Sequence, residues 1–332
     1  MICSDAPFAV LGAGVRSPRV VRALSVGPAA SLALSAGGGT LRVHSVFSST
    51  VNLEADGTGR FVSLCAPRGG SFPHAVALDR AEDLLRWGLA LGSPAWVADG
   101  HIQLSVECGA VVVDLRQAEP SPPRALPAIH RLGSASRACT LKLARIQRNA
   151  ICDLRIDGLP RAGVATTALG ATLREATLAL GAATVHRAPL RETVAALVGL
   201  GAGLTPSGDD VLCGFMAAAR ASCHALMDAL NDAAEENIGR TNAISGFLIR
   251  CAIEGFWPTP LVTLAEALSR DHETDSLAAL GELCKLGHSS GSDIATGFLL
   301  GLEALGSRAT AHNSVGGGGA HLDDGPTGGS PI

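Results

Sequence analysis

The chain has 332 residues, enough for two ordinary domains, and is 47% hydrophobic against 17% charged, which excludes a generally disordered protein. A net charge of −4 with no run of Lys or Arg excludes a phosphate-backbone binder, so nucleic acid is not expected as a partner. Aromatic residues are only 3% and Tyr is absent, while Ala and Gly abound, a mixture suited to closely approaching helices.

No basic region precedes the apolar stretch near Met1, and no segment approaches the ~20 apolar residues of a membrane helix, so a cytoplasmic protein without a membrane partner is expected. Nine cysteines (Cys3, Cys65, Cys108, Cys139, Cys152, Cys213, Cys223, Cys251, Cys284) show neither CxxC nor zinc-finger spacing. They read as small buried hydrophobes in a reducing compartment.

Up to about residue 115 the pattern is one of short strand-like runs: Ser31 to Leu34, Thr40 to Phe47, Arg60 to Leu64, Ala75 to Leu78, His101 to Val106 and Ala110 to Leu115. Gly-rich turns separate them, including Asp56-Gly57 and Asp99-Gly100, and Ala81 to Leu91 reads as one short helix. The prolines of Glu119-Pro120-Ser121-Pro122-Pro123 make a stiff linker. Beyond it the period becomes helical over Thr166 to Leu180, Glu192 to Leu197, Val211 to Leu230, Ile244 to Ile253 and Leu261 to Leu268. The fold class expected is α+β: a mostly antiparallel β domain, a small barrel or sandwich, over 1–118, a linker over 119–127 and an all-α domain over 128–305. A disordered Gly-rich tail is expected over 306–332.

The chemistry concentrates in two matching loops. Ser207-Gly208-Asp209-Asp210 with Gly214-Phe215 and Ser290-Gly291-Ser292-Asp293 with Gly297-Phe298 both read SGxDxxxGF, as an internal duplication would leave. Each also satisfies a Ser-x-x-Asp capping box, so a purely structural role as a helix start stands beside the functional one. Capping does not explain Gly199, Gly201 and Gly203 at alternate positions before Thr205, where flexible backbone can turn N–H groups toward an anion beside a helix N-terminus. Carboxylates there would repel a bare phosphate, so the expected division gives Asp210 the cap and leaves Asp209 free.

Asp209, Asp210 and His288 are the catalytic candidates, with His288 placed two residues ahead of Ser290 as Thr205 is ahead of Ser207. Arg240-Thr241-Asn242-Ala243-Ile244-Ser245 is a third polar knot, in which the Arg240 fork fits a carboxylate or phosphate. The sequence assigns no cofactor with certainty; Mg²⁺ is the candidate, and Asp209, Asp210 and Asp293 are the residues that would hold it.

In the strings GLTPSGDDVLCGF, RTNAIS and GHSSGSD, and in Ser45 to Leu53 of the β region, the sequence resembles a bacterial family long filed as a domain of unknown function. The best-defined branch of that family is the small subunit of oxamate carbamoyltransferase, from allantoin catabolism. The resemblance runs from roughly 40 to 303, and Ala202 is its one noted departure.

The resemblance implies phosphorolysis of oxalurate to oxamate and carbamoyl phosphate, or the reverse, with partner subunits that resemble succinyl-CoA synthetase. It further implies that the small anionic ligand lies among Asn52, Gly201, Gly203, Thr205, Ser207, Gly208, Arg240, Thr241, Ser245, Ser289, Ser290, Gly291 and Asp293. The alternatives are a non-catalytic assembly or ligand-binding subunit, a Mg-dependent hydrolase and a sensor of small anions.

Overall fold

The computed structural model describes residues 18–36, 39–67, 71–80, 83–107, 109–146, 168–222 and 225–315. The first part is built on β1 (Arg19–Val26), β2 (Thr40–Val46), β3 (Thr50–Ala55), β4 (Arg60–Cys65) and β5 (Ala75–Leu78). It continues with β6 (Pro94–Ala98), β7 (His101–Val106), β8 (Gly109–Asp114) and the two-residue β9 (Glu119–Pro120). The strands hydrogen-bond in the order β5-β4-β3-β2-β6-β7-β8-β1, and β1 returns to β5, so the sheet closes on itself. Among the described residues, closure leaves only the two-residue β9 as an edge for pairing with another chain.

Most pairings are antiparallel, but β1 with β8 and β4 with β5 are parallel, which makes the barrel mixed. Val51, Leu53, Val62, Leu64, Ile102, Leu104, Val111 and Val113 fill the interior. The alternation then points Asn52 and its cross-strand partner Ser63 outward.

Two expectations change in this part. Ser31 to Leu34 lies inside a helix, α1 (Pro28–Ala36), and not in a strand. Its apolar alternation is short, whereas its alanines favour helix, Pro28 suits a first helical position, and Ala29 and Ala30 both donate to the Pro73 carbonyl. The helix read over Ala81 to Leu91 contracts to a 3₁₀ turn, Leu84–Trp87, capped by Asp83; residues 81 and 82 lie outside the described residues. Strands β1, β3 and β6 were not among the runs recognised in the sequence.

Glu119 and Pro120, placed in the linker, pair with β1, and the Ser121 N–H donates to the Val26 carbonyl. The chain then leaves the barrel for helices α2 (Ser134–Ile146), α3 (Ala168–His186), α4 (Arg191–Leu197), α5 (Ser207–Ala221) and α6 (Met227–Asn237). After them come α7 (Ala243–Ile253), α8 (Thr259–Ser269), α9 (Glu273–Leu283) and α10 (Ser290–Val315). The segment read as one helix from Val211 to Leu230 is two, because α5 ends where the Ser222 N–H closes onto Ala218. Helix α10 runs past Gly306, where the tail was expected to begin; residues 316–332 lie outside the described residues.

Every residue of α5 except Cys213 and Arg220 is buried, so this helix is the axis of the second core. A smaller cluster joins the two parts: Ala29 and Phe61 from the barrel side meet Ile244, Phe247 and Cys251 of α7, with Leu204 packed against them. Arg60 adds a bidentate pair to Glu254, at 3.1 and 2.7 Å. Among the described residues no helix is long and apolar enough to cross a membrane.

Candidate functional site

The SGxD repeat in sequence is a repeat in geometry. After α4 and after α9 the chain makes a loop and doubles back into the next helix. The Gly208 N–H donates to Leu200 O at 2.8 Å, and the Gly291 N–H donates to Leu286 O at 3.0 Å. A Cβ on Gly208 would overlap the Leu197 carbonyl, and one on Gly291 the Leu283 carbonyl, so only glycine lets each helix start against the end of its predecessor.

Helices α5 and α10 then cross in contact. A Cβ on Gly214 would strike the Ile294 carbonyl, and one on Gly297 the Val211 carbonyl, which are the same contact made in both directions. Farther along both helices, Gly301 lies against Ala218, so the two run in the same sense with their N-termini together. There Thr205 Oγ1 and Ser290 Oγ are 2.8 Å apart, which joins the two loops directly. Two positive dipole ends are thereby brought side by side, with Asp209, Asp210 and Asp293 in their first turns.

The expected division between the aspartates is reversed. Asp209 is not free: its Oδ1 accepts from the Gly199 N–H at 2.7 Å, and its Oδ2 from Thr241 Oγ1 at 2.5 Å and Ser245 Oγ at 2.6 Å. It is 1% exposed and ties the Gly-rich loop to the start of α7, so losing it strands three donors at a cost of about 3 kcal/mol or more. Nor do Ser207 and Asp210 form a capping box, because α5 starts after Pro206 with no side-chain cap. Asn242 is the residue that caps, accepting from the Ser245 N–H at the start of α7.

Asp210 and Asp293 are the carboxyls with spare capacity. Each is buried, and each has an Oδ2 without a hydrogen-bond partner among the described residues. Burial pushes the Asp210 carboxyl well above its usual range, against the Ser290 hydroxyl, with the charges of Asp293 and Asp209 adding to the rise. Burial likewise raises Asp293 to about 6, opposed by the hydroxyls of Ser207 and Ser289. Each loop therefore sends a serine to the other loop's aspartate. Desolvation outweighs the helix N-terminus at both positions.

Around this pair, Gly201 and Gly203 adopt φ of 134° and 90°; Gly203 is exposed, whereas a Cβ on Gly201 would lie 2.6 Å from the Ser207 nitrogen, and Thr205 is half-buried. His288 is exposed on the other loop, and Arg240 is exposed with no ion pair among the described residues. The Arg240 carbonyl would lie 2.6 Å from a Cβ on Gly199, so the arginine flanks the Gly-rich loop. Thr241 and Ser245, expected to hold ligand, hold Asp209.

Among the described residues no hydrogen bond joins the Asn52 amide to these loops. It is buried on the outer barrel face, donating to Ser45 Oγ at 2.9 Å and accepting from Ser63 Oγ at 2.5 Å. Its face does meet α7, because Phe61, next outward on β4, packs on Phe247 with ring centroids 5.8 Å apart. Ser45 and Ser63 went unrecognised in the sequence, where nothing distinguishes them from other strand serines. Among the described residues no group of three His, Cys, Asp or Glu side chains is arranged to hold a metal ion, and both Asp209 oxygens are already engaged.

No solved structure matches the chain. Two family models do: one described as the AllH family N-terminal domain over residues 22–120, and one described as oxamate carbamoyltransferase subunit AllH over residues 197–302. The first covers the barrel, and the second runs from the end of α4 through both loops into α10. A family of subunits implies partner chains. With both parts matched in order, the chain belongs to the AllH family of oxamate carbamoyltransferase subunits.

Proposed function

We propose that this chain, assembled with partner subunits, carries the carbamoyl-transfer site itself and interconverts oxalurate plus phosphate with oxamate plus carbamoyl phosphate. The observation that carries the reading is the pair Asp210 and Asp293, each with an unbonded oxygen, where two helix N-termini meet. In the synthetic direction the oxamate nitrogen attacks the carbamoyl carbon, the bond to phosphate breaks and the nitrogen loses a proton. Asp293, largely ionised at neutral pH yet more basic than an ordinary carboxylate, accepts that proton. Asp210, whose proton burial holds more tightly than an ordinary carboxyl does, donates to the carbamoyl oxygen as charge develops on it.

The loop N–H groups around Gly201 and Gly203 receive the phosphate, and the Arg240 fork receives the oxamate carboxylate. Thr205, Ser289 and Ser290 orient the carbamoyl group, and His288 lies at the mouth. Entry parts the Thr205–Ser290 contact. The burial of both carboxyls favours a second reading, in which this chain only binds ligand or assembles the complex and the partner subunits carry the chemistry.

The two readings separate on Asp210→Asn and Asp293→Asn in the reconstituted enzyme. The first predicts a loss of about 10²-fold or more in kcat for each variant, with carbamoyl phosphate still bound in calorimetry. Full turnover by both variants would establish the second.

A further inference from the structure

A second built feature lies across the domain junction, on the barrel. Strand β2 pairs with β3 as Val43 with Leu53 and then as Ser45 with Asn52, so His44 is the extra residue of a β-bulge. Without the bulge, His44 and Ser45 would face opposite sides of the sheet. With it, Val43 stays in the core and both His44 and Ser45 join the outer face.

The bulge completes a row of four polar side chains. His44 Nδ1 is 3.3 Å from Ser45 Oγ, which accepts from Asn52 Nδ2, while Asn52 Oδ1 accepts from Ser63 Oγ. Asn52 and Ser63 are buried, so the row is anchored at one end and half-buried at the other, where the imidazole sits. Its orientation is set twice: by Ser45, and by an edge-on contact with Phe61 at 5.2 Å and 85°. Phe61 in turn belongs to the cluster against which Leu204, the neighbour of Thr205 in the Gly-rich loop, is packed. Phe61 thus ties His44 to the same junction cluster that carries the loop.

We propose that His44 is a binding residue for the carboxylate-bearing substrate, supplied by the barrel across the domain junction from the Gly-rich loop. Nδ1 faces a hydroxyl and Nε2 remains to donate to an anionic oxygen. Bulges recur beside active sites because they re-aim a side chain while the flanking ladder stays in register. The inference rests on the carbamoyl-transfer reading for the identity of the substrate, and on the bulge and its polar row for the residue.

The test uses the full chain reconstituted with its partners. His44→Phe keeps a ring on Phe61 and removes the N–H, and His44→Gln keeps a polar group and removes the ring. Both are expected to raise KM for oxamate at least tenfold, to leave KM for carbamoyl phosphate unchanged and to keep the wild-type Tm. Calorimetry of oxamate with the full chain should show the same loss of affinity. Wild-type KM and affinity in His44→Phe would overturn the proposal and leave His44 as interdomain packing. If Asp210→Asn and Asp293→Asn keep full turnover while His44→Phe loses oxamate, the catalytic assignment fails and His44 stands. Were the wild-type enzyme neither to bind nor to consume oxamate, both would fall.

Discussion

In the proposed mechanism Asp293 sets a functional demand against a stability demand on one side chain. Its native carboxyl keeps a proton up to about pH 6, whereas the unfolded one releases it near 3.8. Between those values the native state binds more protons, so stability falls as pH rises through the window and stays lower above it. Asp293→Asn removes that titration. It is expected to leave stability near pH 4 close to wild type and to raise it at pH 8 by on the order of 3 kcal/mol, at about 1.4 kcal/mol per pKa unit. Urea unfolding at the two pH values measures this, and an equal effect at both would show that the carboxyl does not titrate in the native state.

His74 acts with the opposite sign and must be kept apart from this effect. It is buried against Phe72 and Phe247, and burial lowers its pKa from 6.5 to about 4. Its contribution is therefore complete above pH 6.5 and is lost as pH falls toward 4. If Asp293→Asn proves more stable at pH 8 and less active, the carboxyl is held in an unfavourable state for function.

At the scale of elements, the crossing of α5 and α10 depends on two glycines that look alike in sequence and do the same work in space. Each admits the other helix's backbone where a methyl group would collide. Gly297→Ala is expected to cost about 1–3 kcal/mol or more, because a packed core accommodates an added carbon only by shifting backbone. Gly181, inside α3, is the contrast: a Cβ there meets only Leu300, at 3.8 Å. Gly181→Ala should therefore stabilise by roughly 0.5–1 kcal/mol, the ordinary helix preference for alanine. Thermal unfolding of the pair decides between crossing and propensity, and two shifts of the same sign would refute the close crossing. The repeated SGxDxxxGF was legible as two equivalent helix starts. That its glycines make the helices meet, and that its serines serve the opposite aspartate, was not.

The whole molecule is joined through Phe247, which touches Phe61 and His74 of the barrel from the helix that Asp209 anchors. Phe247→Ala removes a ring that is 1% exposed, at a cost of about 3–5 kcal/mol. Since that ring belongs to both parts, calorimetric unfolding is expected to divide into two transitions where the wild type shows one; a single, merely lowered transition would mean that the junction does not couple the parts.

Short-range information in the chain determined much of this protein. Alternation and turn residues gave the β part, the Pro-rich stretch marked its end, helical periodicity gave the second part, and the Gly-rich loop with its SGxD repeat marked the candidate site. Tertiary structure alone decided closure of the barrel, because β1 reads weakly until it has β8 and β5 beside it. It also decided the roles of the aspartates. Asp209 and Asp210 are neighbours of identical type, and what separates them is that Thr241 and Ser245, 32 and 36 residues away, bond to one and not the other. A side chain's charge state and freedom depend on the donors and the solvent that folding leaves around it, and local sequence carries neither.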